Sequence, residues 1–164
     1  MKKCLLVLVT VAFVVGCTDR STGSLAELVG VPREGGIVQP GVVVEATGGV
    51  TVVRIRIDAQ AFELGAYQGR FTFDPTVMEF LEASVPEDGY RVLNTLRADE
   101  GEIRFAGFTV EQFVSPVAVE LRFRTERPVV GEDVFVNLEV VGDLLGEEVP
   151  QDRVLPQSFR RIEQ

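Results

Sequence analysis

Val53-Arg54-Ile55-Arg56-Ile57 alternates an aliphatic side chain with an arginine at every step. Successive side chains of an extended strand point to opposite faces, so this stretch predicts a strand with one face for a core and one for water. The same period of two recurs in Ile103-Arg104-Phe105, in Val119-Glu120-Leu121-Arg122-Phe123-Arg124 and in Val134-Phe135-Val136-Asn137-Leu138-Glu139-Val140. Turn-forming residues separate these stretches at short intervals: Gly48-Gly49, Asp74-Pro75, Pro86-Glu87-Asp88-Gly89, Glu100-Gly101, Ser115-Pro116 and Val130-Gly131. No long amphipathic helical pattern interrupts the series. From Ile37 onward the chain is expected to be all-β, a single β-sandwich over residues 37–164.

A second stretch, Ala66-Tyr67-Gln68-Gly69-Arg70-Phe71-Thr72-Phe73, runs into Asp74-Pro75-Thr76-Val77-Met78-Glu79-Phe80. Proline lacks a ladder donor and fixes φ, so Asp74-Pro75 ends the strand, and the aspartate side chain can cap the turn that Thr76-Val77 completes. Met78 and Phe80 then return to the core. The segment resembles the aromatic-x-aromatic-Asp-Pro-x-x-Leu segment of cohesin domains. Gly101 to Phe108, then Phe113 and the strand Val117 to Arg124, is similar to the family's next block in order and spacing. The resemblance covers Val42 to Leu145. It implies a sandwich of jelly-roll, cohesin-like type, related in fold to carbohydrate-binding modules. It also implies a protein partner of the dockerin class, which are small calcium-loaded helical modules. For the fold alone, an ordinary strand-turn-strand connector of β-sandwiches reads the same way.

Under that resemblance, the partner-binding face is the outward side of the strands holding Gln68, Arg70, Thr72, Arg104 and Phe108. Alternation gives the same assignment, because Tyr67, Phe71, Phe73, Ile103 and Phe105 take the inward side. Arginine and exposed aromatics anchor many interfaces, and outward arginines also serve as plain solubilising, edge-protecting residues. The competing reading is carbohydrate binding linked to polysaccharide breakdown. Flat aromatic platforms for sugars usually need Trp or Tyr; the chain has no Trp and only Tyr67 and Tyr90, the former predicted inward. A structural envelope lipoprotein is the third reading.

The N-terminus carries a separate signal. Met1-Lys2-Lys3 precedes an apolar run, Leu5 to Val15, and then Gly16-Cys17. The run fits a secretory h-region and is shorter than the roughly 20 residues that span a bilayer. Val14-Val15-Gly16-Cys17 resembles a bacterial lipobox, which implies cleavage of residues 1–16 and lipidation of Cys17. Two or more acyl chains give stable anchoring where one does not. The alternative is an ordinary signal peptide followed by a free or disulfide-bonded thiol. Against it, Cys4 is the only other cysteine and leaves with the signal. Residues 17–36, rich in Ser, Thr, Gly and Pro, read as a tether that holds at most one helical turn at Leu25-Ala26-Glu27-Leu28-Val29. The expected location is the bacterial cell envelope, with membrane contact through the lipid anchor only. Thr18, where aspartate would resemble an inner-membrane retention signal, favours the outer membrane of a diderm.

Composition narrows the chemistry. The formal net charge is −9, and losing Lys2 and Lys3 with the signal takes it to −11. Nucleic acid and anionic lipid both demand basic surface, so neither is an expected partner. The chain has no histidine, and its only lysines and its unlipidated cysteine lie in the signal. The usual general base, Schiff-base amine and thiol nucleophile are therefore missing, and no enzyme, cofactor or metal site is expected. The acidic pairs Glu87-Asp88, Asp99-Glu100, Glu132-Asp133 and Glu147-Glu148 sit beside Gly or Pro and read as solvated turns. Asp99-Glu100-Gly101-Glu102 lacks the alternating ligands of a calcium loop and reads as a hairpin turn.

Overall fold

The computed structural model describes residues 36–61 and 63–162. The expected signal at 1–16, Cys17 and the tether up to residue 35 lie outside the described residues. Strands β1 (Ile37–Thr47) and β2 (Val50–Gln60) form a hairpin closed by Gly48-Gly49 at φ of 60° and 83°. Positive φ at both central positions matches the right-handed twist of the flanking strands, and glycine adopts it without a Cβ clash. There follow β3 (Leu64–Phe73), β4 (Met78–Ser84), β5 (Tyr90–Asn94), β6 (Glu102–Phe108), β7 (Val117–Thr125), β8 (Val134–Asp143) and β9 (Ser158–Ile162).

These strands make two sheets, ordered β4-β7-β2-β1-β9 and β5-β6-β3-β8. Pairing is antiparallel except between β1 and β9. The expected β-sandwich is thus the fold of the described chain. Its core is the set that alternation pointed inward: Val53, Ile55 and Ile57 from β2 face Tyr67, Phe71 and Phe73 from β3, with Ile103, Phe105, Val119, Leu121 and Phe123. Phe123 is fully buried and touches three rings, Phe73 edge-on at 4.9 Å, Phe80 at 5.8 Å and Phe71 at 6.2 Å. Aromatic pairs at these separations add about 0.5–1.5 kcal/mol beyond their area.

The Asp74-Pro75 connector closes as its sequence requires. Thr76 donates its N–H and its hydroxyl to Asp74 Oδ1 at 2.8 and 2.7 Å, and the Asp74 carbonyl accepts from Val77 and Met78. The Thr76 bonds hold the Asp74 carboxyl below its ordinary value. Met78 is buried and Phe80 packs against the core.

Two acidic pairs depart from the expectation of solvated turns. Asp133 is buried, and Arg127 donates to both of its carboxylate oxygens at 2.6 and 2.7 Å while Val130 N–H adds a third bond. Asp88 is likewise engaged, as described below. Ala98–Glu100 forms a turn of 3₁₀ helix rather than a simple hairpin turn. At the outer edge of β8, the side chain of Gln157 replaces a neighbouring strand: it accepts from Val136 N–H at 2.7 Å and donates to the Val134 carbonyl at 3.0 Å. That amide occupies ladder groups which would otherwise template edge-to-edge pairing.

Candidate protein-docking face

The outer face of the β5-β6-β3-β8 sheet gathers all five residues picked from the sequence. In register, Arg70 lies opposite Arg104, Gln68 opposite Ala106, Thr72 opposite Glu102 and Ala66 opposite Phe108. Gln68, Arg104 and Phe108 are exposed, while Arg70 and Thr72 are half-buried. β5 extends the face by setting Tyr90 beside Phe108 and Val92 beside Ala106. On the other flank, Gln68 pairs with Val140 and Gly69 with Leu138, so Glu139 is the extra residue of a bulge.

Like charges placed directly across a strand pair destabilise it, and the Arg70–Arg104 pair is neutralised by carboxylates from both sides. Arg104 Nε donates to Glu102 Oε1 at 3.1 Å. Arg70 spans Glu102 at 3.6 Å and Glu139 at 3.4 Å, and Gln68 Nε2 donates to Glu139 at 3.1 Å. Arg97 reaches Glu102 at 3.4 Å as well. The bond from Arg104 comes first among the causes that hold the Glu102 carboxyl below its ordinary value, with the charges of Arg97, Arg104 and Arg70 adding to it. The centre of the face is therefore a closed ionic lattice. Its arginines have partners before any other protein arrives.

One corner of the face is apolar instead, and sequence reasoning missed the residue that builds it. Arg91 of β5 points inward with only 2% of its side chain exposed. Its guanidinium donates to Asp88 Oδ1 at 2.7 Å, to the Tyr67 hydroxyl at 3.1 Å and to the carbonyls of Asp88, Val117 and Ala118, and it lies 4.8 Å from the Phe113 ring centroid. Asp88 Oδ2 in turn accepts from the N–H groups of Val114 and Ser115 at 2.8 and 2.9 Å. Burial pushes the Asp88 carboxyl up, but the bonds from Ser115 and Val114 and the charge of Arg91 outweigh it, and the group sits below its ordinary value. Burial drives the Tyr67 phenol up to about 12 against the opposing pull of Arg91. Asp88 and Arg91 thus clamp the β4–β5 loop to the β6–β7 loop. A charged pair beside glycine signals a turn, and nothing in the pair itself announces a clamp.

Exposed apolar side chains occur near the clamp, two of them on the outer face of the sheet and two on the β6–β7 loop. Tyr90 and Phe108 are 60% and 53% exposed with ring centroids 5.1 Å apart, and Val110 and Val114 on the second loop are 88% and 87% exposed. The two rings are tilted by 44° and so present no coplanar platform for a sugar ring. Among the described residues, no group of three or more His, Cys, Asp or Glu is placed to hold a metal ion, and no helix is long and apolar enough to cross a membrane.

No protein-family model matches the chain, and no curated protein matches it in sequence. Solved structures do match. The sixth cohesin of scaffoldin B from Acetivibrio cellulolyticus, solved with a Cel5 dockerin, superposes with a TM-score of 0.56 at 15% identity over 76% of this chain and 99% of that one. A non-cellulosomal cohesin from the archaeon Archaeoglobus fulgidus gives 0.53 at 14% identity, over 78% and 91%. A type I cohesin–dockerin complex from Clostridium thermocellum gives 0.52 at 10% identity, over 77% and 99%. At these identities the likeness is one of fold, and the chain has the cohesin-like β-sandwich fold.

Proposed function

We propose that this protein is a non-catalytic docking module, tethered to the bacterial cell envelope by a lipid on Cys17, that binds a dockerin-like protein through the outer face of the β5-β6-β3-β8 sheet. One observation carries the reading: that face combines a fixed ionic lattice with exposed aromatic and aliphatic side chains on its strands, Tyr90, Val92 and Phe108 among them. Standing apolar exposure beside rigid polar groups is the anatomy of a protein interface. The cohesin fold and the solved cohesin–dockerin complexes among its neighbours support the class of partner. The absence of histidine from the whole chain supports a binding role over acid–base chemistry.

The test is affinity capture from source cells in the presence of calcium, with three baits. The wild-type chain is expected to retain one predominant calcium-binding protein, released by chelator. A bait with Gln68→Ala, Arg104→Ala and Phe108→Ala is expected to lose it. A bait altered on the opposite sheet at Arg54→Ala and Glu120→Ala is expected to keep it. Retention by the first altered bait, or loss only from the second, would move the function off this face. Labelled palmitate tests the tether separately: incorporation is expected in the wild type and absent in Cys17→Ser.

A further inference from the structure

A cavity of about 460 Å³ opens at the end of the sandwich where β2 finishes and β3 begins, with walls drawn from β2, β3, β5 and the β6–β7 loop. Tyr67 and Arg91 reach it from the inward sides of β3 and β5, so it is separate from the docking face. Its deep end is polar and only partly satisfied. Tyr67 is 4% exposed, and its phenol oxygen accepts from Arg91 at 3.1 Å while its own O–H has no acceptor among the described residues. Leaving a buried donor unpaired costs more than a bond returns, so an acceptor supplied from outside is favoured there. The bond received from a guanidinium also polarises the hydroxyl and strengthens the one it gives.

The mouth of the cavity adds groups that both give and take hydrogen bonds. The Gln60 and Gln112 amides are exposed and bonded to no described residue, and Ser115 accepts from Val117 N–H with its hydroxyl hydrogen still to donate. Ile57, Leu64 and the Phe113 ring supply the apolar part of the wall. Charge and polarity then select the occupant. Arg91 is already neutralised by Asp88 at 2.7 Å, and the chain carries −9, so an anion gains no net attraction. A cation would meet the guanidinium at the deep end. A wholly apolar molecule would leave the Tyr67 hydroxyl and both amides unanswered. A neutral molecule with many hydroxyls on a carbon frame answers every group.

We propose that this end cavity is a second binding site, for a neutral saccharide, in which a sugar oxygen accepts from Tyr67 while sugar hydroxyls exchange hydrogen bonds with Gln60, Gln112 and Ser115. The C–H groups of the sugar lie against Ile57, Leu64 and Phe113. The volume falls within the roughly 300–1,000 Å³ of small-molecule sites, at the end suited to one or two sugar rings. The walls are fixed in advance. Ile57 N–H donates to the Pro116 carbonyl at 2.8 Å, and Arg91 holds the carbonyls of Val117 and Ala118. Gly107 leaves the phenol its place, since a Cβ there would stand 2.6 Å from the Tyr67 oxygen. A preformed site avoids the ordering cost of binding.

The test is titration of the isotope-labelled full chain with disaccharides and hexasaccharides of glucose, xylose, mannose and N-acetylglucosamine, beside the acidic disaccharide of galacturonate. At least one neutral sugar is expected to shift the amides of residues 57–60, 64–67 and 112–118, and digalacturonate to shift none. Because the cavity is filled by so few rings, the hexasaccharide is expected to bind no tighter than its disaccharide. Tyr67→Phe, which keeps the ring and removes the donor, is expected to weaken binding by about tenfold. Gln112→Ala, at the exposed mouth, is expected to weaken it several-fold without touching the core, so it serves even if Tyr67→Phe unfolds. Sedimentation with insoluble cellulose, xylan and mannan separates two sources of the same chemistry: pelleting marks the end of a polysaccharide chain, and binding of soluble sugars alone marks a free saccharide. No shift with any neutral sugar, equal shifts with digalacturonate, shifts centred on Arg70 and Arg104, or unchanged affinity in both variants would overturn the proposal. None of these outcomes bears on partner capture by the docking face.

Discussion

Gly69 shows how a single position records the packing around it. It sits mid-strand in β3, where glycine normally weakens a sheet, and its missing side chain is filled from below by others. A Cβ would meet Phe105 Cζ at 2.7 Å, the Asn137 carbonyl oxygen at 2.9 Å and Leu138 Cδ2 at 3.1 Å. One of those neighbours is backbone and cannot swing aside. Gly69→Val is therefore expected to destabilise the domain by about 1–3 kcal/mol, as overpacking does, and a melting curve beside wild type checks it; an unchanged melt would mean that β3 and β8 separate freely. Phe73 gives the converse case. It is buried against Phe123 and Phe71, so Phe73→Ala is expected to cost about 3–5 kcal/mol. Arg104→Ala, on the exposed face, is expected to stay within about 0.5 kcal/mol. If Arg104→Ala melts the domain as badly as Phe73→Ala, the facing of β6 is inverted.

At the scale of elements, the strands were legible and the clamp was not, for one physical reason. Alternation reads well where each face has a uniform character, as in Val53 to Ile57, and those strands formed where their pattern placed them. Tyr90-Arg91-Val92-Leu93-Asn94 breaks the rule, because its inward face holds Arg91 with Leu93 while its outward face shows Tyr90 and Val92. Hydropathy would turn Arg91 out. Only the tertiary arrangement, which sets the Asp88 carboxylate, the Tyr67 hydroxyl and three carbonyls around one guanidinium, makes burial of that charge affordable. The outward Arg70 and Arg104 were legible as positions, but their carboxylate partners lie on other strands or two residues away, and no local pattern reveals a lattice. Arg91→Leu follows from this account. It leaves buried carbonyls and the Tyr67 hydroxyl without a donor, at an expected cost of about 3–5 kcal/mol, and hydrogen exchange is expected to rise most in the β6–β7 loop between residues 109 and 116. Uniform exchange across that loop and the sheets would show that Arg91 is no local clamp.

For the whole molecule, the sequence located a sandwich and an acidic surface, while the composition sets how stability follows pH. No histidine is present, so no side chain with an ordinary value titrates between about pH 5 and 8. The limits are set by carboxylates at one end and a phenol at the other. Asp74, Asp88, Glu102 and Asp133 are all held below their ordinary values when folded. Their stabilising contribution is complete above the unfolded carboxylate range of about 4 and is lost as pH falls through the lower folded values. Asp133→Asn is expected to lower stability at neutral pH and to flatten the acid limb. Tyr67 works in the opposite sense. Its folded value of about 12 stands above the unfolded value of 10.0, so the unfolded chain releases its proton first. Stability tied to Tyr67 is therefore full below pH 10 and falls as pH rises toward 12, by roughly 2–3 kcal/mol at about 1.36 kcal/mol per unit. Chemical denaturation across the range is expected to show a flat plateau bounded by these two limbs. Tyr67→Phe keeps the ring in the core and removes the ionising group, so its alkaline limb is expected to be shallower than wild type even though it forfeits the bond from Arg91. An alkaline limb of equal depth in Tyr67→Phe would show that the phenol is not shielded where β3 meets the clamp, and the buried geometry of Tyr67, Arg91 and Asp88 would have to be redrawn.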